Sequence, residues 1–314
     1  MFLSKIYGEA QKLLFIRLYG LYEKGFVSLL YITSISSYII DVLHNPRLSI
    51  CTNEHALISE IEFDVELFYE IRTYNSSLKL NDCMKYLLTL EHMISSPLLT
   101  QYQVIMLQRL AASFLQQTAF ILNMETYSHE NKLRYKANKI SHHMLKLAAK
   151  FGCITDMMYI AMYYYKTLRY MEALSIIEMM KVTLAQPYVM NRPNVDAEKY
   201  IEAVGGQTWS TKMRQAIACY ITLENRINYI NELVPAQQSS SLQNNGTSLY
   251  VPSFIMLHML EVLCYRYVES LRAQTALDDL HTLFHYDQGQ LIPLDYRDIS
   301  WKILQICQQV TRNL

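Results

Sequence analysis

Apolar residues recur every three to four positions along almost the whole of this 314-residue chain, and that period fits an α-helix and not a strand. Between Val104 and Ile121 the stripe runs through Val104, Leu107, Ala111, Phe114 and Ile121, with Leu110 and Leu115 beside it. Similar stripes cover 2–24, 26–43, 56–74, 79–95, 127–150, 154–185, 209–232, 253–286 and 296–312. Alternating strand patterns are scarce. The chain holds only 8 glycines and 7 prolines, too few for an all-β fold of many tight turns. The expected fold class is all-α, a stack of antiparallel helix pairs.

Breaks in the periodicity suggest the organisation. Pro46 ends the first helical pair, Pro97 opens another helix, and Pro187 and Pro193 bracket a loop that ends near Gly205 and Gly206. The stretch PAQQSSSLQNNGTS, residues 235–248, has the composition of a polar linker. Gly289 and Pro293 mark the last turn. Three regions are expected: 1–45, 46–125 and 126–314.

Charge and cysteine usage narrow the setting. The 28 Lys and Arg balance 28 Asp and Glu, so no bulk charge is available to hold nucleic acid or a membrane surface. The balance is local cancellation, because 51–93 is acidic whereas 131–155 carries basic residues and no acid. Cys51, Cys83, Cys153, Cys219, Cys264 and Cys307 are widely spaced and form no CxxC pair. They read as reduced, mostly buried thiols of a cytoplasmic protein. The first residues carry Lys5, Glu9 and Lys12 and do not read as a signal peptide. Two uncharged stretches, 25–40 and 93–108, are 16 residues each, shorter than the roughly 20 apolar residues of a membrane span.

An internal repeat appears in the second half. In MMYIAMYYYKTLRYMEALSIIEMMKVTLAQP, Met157, Ile160, Ala161 and Tyr164, then Ala173 and Ile177, with Pro187 near the end, fill the slots of the tetratricopeptide pattern. Small Ala161 and Ala173 let two helices approach, Tyr164 fills the space between them, and TLRYMEAL supplies the turn. A weaker copy places Leu260, Leu263, Cys264 and Tyr267 in the first helix and Ala276 and Leu280 in the second. A third begins at Trp301 and Leu304 without a second helix, which is expected to leave an apolar face uncovered. Residues 126–314 are therefore expected to be tetratricopeptide-like, and an irregular helix stack is the alternative.

Three strings, IYGEAQKLLFIRLYGLYEKG, KLAAKFGCITDMMYIAMYYYKTLRYMEALS and GGQTWSTKMRQAI, resemble the C-terminal half of molluscan proteins of the male-abnormal twenty-one family, relatives of cyclic GMP-AMP synthase. The resemblance implies that 1–45 ends a helical subdomain and that 46–314 is a helical tail. It also implies a setting in innate nucleic-acid sensing. That family's nucleotidyltransferase uses a Gly-Ser phosphate turn and an acidic triad that holds two metals. This sequence has no Gly-Ser dipeptide, so no catalytic residues, no metal and no cofactor are expected. The expected function is a non-enzymatic module that binds a protein or peptide. The alternative is a fragment of a cyclic-dinucleotide synthase.

Several clusters have residue types that can carry chemistry. In SEIEFDVELFYE, Glu60, Glu62, Asp64 and Glu66 would share one face of a strand, as metal-binding carboxylates do. The stripe of Ile58, Ile61, Val65 and Phe68 favours a helix with a solvated acidic face. Lys132, Lys136, Lys139, His143, Lys146 and Lys150 recur at helical spacing on one face, opposite Leu133, Ala137, Ile140, Met144 and Leu147. Such a row can be a solvated face, a docking surface for an acidic protein segment, or a phosphate contact. Tyr135 is the lone interleaved aromatic, which disfavours nucleic acid. His281 and His285 are one helical turn apart near Asp278 and Asp287, yet no third metal ligand is evident. His142 and His143 are adjacent and cannot chelate together. Gly205 and Gly206 read as a loop or helix cap. The run Tyr163, Tyr164 and Tyr165, part of a total of 25 tyrosines, reads chiefly as core filling.

Overall fold

The computed structural model describes residues 60–70, 80–94, 99–125, 131–190, 195–244, 247–287 and 291–312. The expected readings on 1–45 and at Pro46, Cys51, Pro97, Pro193 and Gly289 lie outside them. Within these residues the fold is all-α, with one small strand pair. The helices are α1 (Glu60–Glu70), α2 (Leu80–Ile94), α3 (Gln101–Glu125), α4 (Asn131–Phe151), α5 (Met157–Lys166), α6 (Tyr170–Leu184), α7 (Ala197–Val204) and α8 (Trp209–Ala216). After strand β1 (Ile221–Glu224) come α9 (Val234–Asn244), strand β2 (Ser248–Val251), α10 (Ser253–Val268), α11 (Ser270–Tyr286) and α12 (Arg297–Arg312).

Helix α3 is the axis of the N-terminal half. Thr100 and Gln103 cap it reciprocally: the Gln103 backbone N–H donates to the Thr100 hydroxyl at 3.2 Å, and the Thr100 N–H donates to the Gln103 amide oxygen at 3.0 Å. Every residue from Arg109 to Phe120 is buried, because α2 and α4 pack along α3 from two sides. Two polar contacts tie α4 to this helix: the Ser141 hydroxyl of α4 donates to the Ala119 carbonyl at 2.8 Å, and the Asn123 amide donates to Asn138 at 2.8 Å.

The C-terminal half contains two packed helix pairs, separated in the chain by short helices and the strand pair. Helices α5 and α6 pack along each other across a three-residue turn, and α10 and α11 pair across Glu269. Ala161, Ala173 and Ala276 have essentially no exposed surface, and Ile160, Ile177 and Leu263 fill the core beside them. Helix α10 is central: it touches α5, α6, α11 and α12, and a Lys181–Glu261 ion pair ties it to α6.

Several sequence expectations need correction. Residues 235–248 are not a linker, since 234–244 are helical and 248–251 form β2. The serines fit a helix here because Ser239 and Ser241 donate to the carbonyls of Pro235 and Gln237, one turn back. Gln237 is buried and donates to the Glu224 and Ile227 carbonyls. The helical stripe at 209–232 stops at Ala216, where the backbone becomes extended. Ile221–Glu224 then pairs antiparallel with Ser248–Val251, with Ile221 opposite Val251. The Tyr159 hydroxyl holds this strand: it donates to the Thr222 carbonyl at 2.6 Å and accepts the Thr222 N–H at 3.0 Å.

Two slot residues also differ from expectation. Tyr267 and Trp301 are exposed, not packed inside helix pairs. Tyr267 stacks on Tyr170 at 4.5 Å with the rings 7° from parallel, and Trp301 leans on Phe284 at 5.2 Å. The apolar face of α12 is not left bare, because Ile303, Leu304, Cys307 and Val310 are buried where α12 meets α10 and α11.

Candidate functional site

The lysine row lies on α4 as its spacing predicts. Lys136, Lys139, His143, Lys146 and Lys150 are all exposed, while Ala137, Met144 and Leu147 face the core. Lys132 falls within the helix, at its first turn. Two imidazoles record the positive field of this face. Burial pushes His142 down to about 4, with Lys146, Arg169 and His143 adding to the shift. Burial, then Lys139 and Lys146, lowers His143 as well.

His142 joins the row to the turn between α5 and α6. Its ring lies 5.3 Å from that of Tyr164, whose hydroxyl is 3.4 Å from the imidazole Nε2. The Arg169 guanidinium lies over the Tyr164 ring at 4.3 Å. Thus Tyr164 sits between α4 and the turn. Its neighbours in the run reach elsewhere: the Tyr163 hydroxyl donates to the Asn138 carbonyl at 3.1 Å, and that of Tyr165 donates to Glu232 at 2.6 Å.

The turn itself is a Schellman motif. The Arg169 N–H donates to the Tyr164 carbonyl at 2.8 Å, and the Leu168 N–H donates to the Tyr165 carbonyl at 3.0 Å. Leu168 takes the left-handed position usually held by glycine, with φ +63°. Its side chain is 72% exposed. Met171 beside it, and Tyr267, Val268 and Leu271 at the facing turn of α10 and α11, are exposed too; Leu271 reaches 81%. The Tyr170–Tyr267 stack joins the two turns. A row of cations on α4 therefore leads, through His142, Tyr164 and Arg169, to an apolar and aromatic edge. Sequence spacing shows the cations. It misses the edge, which brings together residues a hundred positions apart.

The other candidates resolve differently. The acidic segment is helical as expected, and Glu60 is exposed, but Asp64 is not solvated. Asp64 is fully buried, and the Lys212 ammonium donates to Asp64 and Glu60, both at 2.5 Å. The Tyr200 hydroxyl and the Trp209 indole N–H also donate to Asp64, at 3.0 and 3.1 Å. The Gly206 N–H, at φ +68°, donates to Glu60 at 2.9 Å. The bond from Lys212, then that from Gly206, holds the Glu60 carboxyl below its usual range. Burial pushes Asp64 up, and its bonds from Lys212 and Tyr200 oppose this. Four donors around two carboxylates make a structural clamp that fastens α1 to α7 and α8.

The imidazoles of His281 and His285 lie 6.1 Å apart with parallel rings, and His281 contacts Gln308 at 2.8 Å. Among the described residues no group of three His, Cys, Asp or Glu could hold a metal ion, and no helix is long and apolar enough to cross a membrane.

Beneath the site lies a buried ion pair. Arg109 of α3 contacts Asp156 at 2.5 Å, and the Cys153 N–H donates to the same carboxylate oxygen at 2.7 Å. Both side chains are almost wholly enclosed. Gly152 makes room for them, because a Cβ there would fall 1.6 Å from the Asp156 oxygen. In comparisons with known proteins, no family model, no curated protein and no solved structure matches the chain.

Proposed function

We propose that the chain is a non-enzymatic, tetratricopeptide-like protein–protein interaction module that holds an acidic segment carrying apolar side chains. The observation that carries this reading is the row of exposed Lys136, Lys139, Lys146 and Lys150 beside exposed Leu168, Met171 and Leu271. The cations attract an acidic partner from a distance and set its register. The apolar edge then supplies burial, at roughly 25 cal/mol per Å² of surface removed from water. Phosphate-rich nucleic acid would use the cations but not the aliphatic edge. Cytoplasmic residence belongs to the same reading, supported by six widely spaced cysteines without a CxxC pair.

The test is fluorescence anisotropy with a labelled helical peptide of glutamate and leucine, run beside single-stranded DNA and a peptide with the glutamates changed to glutamine. The expected result is salt-sensitive binding of the acidic peptide. Binding should fall at least tenfold in the Lys136→Glu, Lys139→Glu, Lys146→Glu triple variant and again in Leu271→Ser. Equal binding by the triple variant, or binding of DNA alone, overturns the proposal.

A further inference from the structure

Cys153 and Cys219 are far apart in the sequence, yet their sulfurs lie 2.8 Å apart. That is only about 0.8 Å more than a disulfide bond. Neighbouring contacts already hold the two segments together. The Ile154 N–H donates to the Ile217 carbonyl at 3.0 Å, and the Cys219 N–H donates to the Thr155 hydroxyl at 3.0 Å. The bond therefore needs little backbone movement. We propose that Cys153 and Cys219 are a reversible oxidation site, at which a hydroperoxide joins the two thiols into a disulfide that staples the α4–α5 junction to the strand leading into β1.

The order of events follows from access. Cys219 is half-buried and Cys153 buried, so the peroxide meets Cys219 first. Its thiol sulfur attacks the peroxide; one water leaves and a sulfenic acid remains. The Cys153 sulfur then attacks Cys219, the S–O bond breaks, and the departing oxygen takes a proton to leave as a second water. Two thiols are oxidised by two electrons and one peroxide is reduced to two waters. The bond to Cys219 and burial hold the Cys153 thiol well above its usual range, against the opposing pull of the Arg109 guanidinium, so Cys153 serves as the resolving and not the first-oxidised thiol. The other described cysteines, Cys83, Cys264 and Cys307, are buried and none has a second sulfur beside it to complete a disulfide.

The experiment treats the full chain with hydrogen peroxide, blocks remaining thiols with N-ethylmaleimide, and maps peptides by mass spectrometry without reduction. The expected product is one cross-linked pair carrying Cys153 and Cys219, lighter by two hydrogen atoms and lost on adding dithiothreitol. In Cys153→Ser, Cys219 should accumulate as a dimedone-trapped sulfenic acid. A thermal melt of the oxidised wild-type chain should lie above that of the reduced chain, since the cross-link closes a long loop. Peroxide that oxidises Cys83, Cys264 or Cys307 first overturns the proposal, as does wild-type Cys219 that stays a sulfenic acid without the cross-link.

Discussion

Replacing Gly152 with alanine tests the buried ion pair from an unexpected side. The added Cβ would stand 1.6 Å from the Asp156 carboxylate oxygen, 2.7 Å from its Cγ and 3.2 Å from the Ala112 Cβ. An exposed carboxylate would swing aside. This one cannot do so cheaply, because Arg109 and the Cys153 N–H both hold that oxygen. Moving it leaves a buried guanidinium without its counter-charge, and breaking such a pair costs about 3–5 kcal/mol. The assay is urea denaturation of Gly152→Ala, Asp156→Ala and the double variant. In Asp156→Ala the obstructing atoms are gone, so Gly152→Ala should add less than about 1 kcal/mol in that background, a strong departure from additivity. Equal losses in both backgrounds would refute the argument and place the cost in the helix end. A loss below about 1 kcal/mol in the wild-type chain would show that the carboxylate is not pinned.

Three further outcomes are expected. His142 is held down to about 4, against about 6.5 in an unfolded chain; below pH 6.5 the unfolded state takes up a proton that the native state refuses, so stability falls as pH drops from 6.5 towards 4. The upper bound is about 3 kcal/mol, reduced by solvent screening of this half-buried ring, and denaturation midpoints of His142→Phe should lack that slope. Leu168→Gly should gain up to about 1 kcal/mol, since glycine takes a positive φ without steric penalty, and a clear loss by thermal melt would contradict the strained-turn reading. Lys212→Met should cost about 3–5 kcal/mol by leaving Asp64 buried and unmatched, and limited proteolysis should show early cutting around 60–70; unchanged protection there would mean that apolar contacts alone hold α1.

What the sequence reveals depends on how far each cause reaches along the chain. The α4 row is visible because one helix fixes the spacing of all its cations. Ala161 and Ala173 are visible because a close helix pair demands small residues near its turn. Asp64 looks like part of a solvated face because its partner, Lys212, is 148 residues away. The sulfur of Cys153 meets that of Cys219 for an equally distant reason, through the path the chain takes after α8. Residues 235–248 mislead in another way: polar composition reports solubility, and Ser239 and Ser241 satisfy themselves inside the helix. The strands escape because four residues each are too few to reveal a period.

The clamp on α1 also imposes an order on biosynthesis. Glu60 and Asp64 emerge roughly 150 residues before the lysine that joins them. At synthesis rates of about 5–20 residues per second that is an interval of some 8–30 s. Throughout it, the buried Asp64 carboxylate lacks the ammonium that balances it in the folded chain. The first described helix thus waits for the eighth to fasten it.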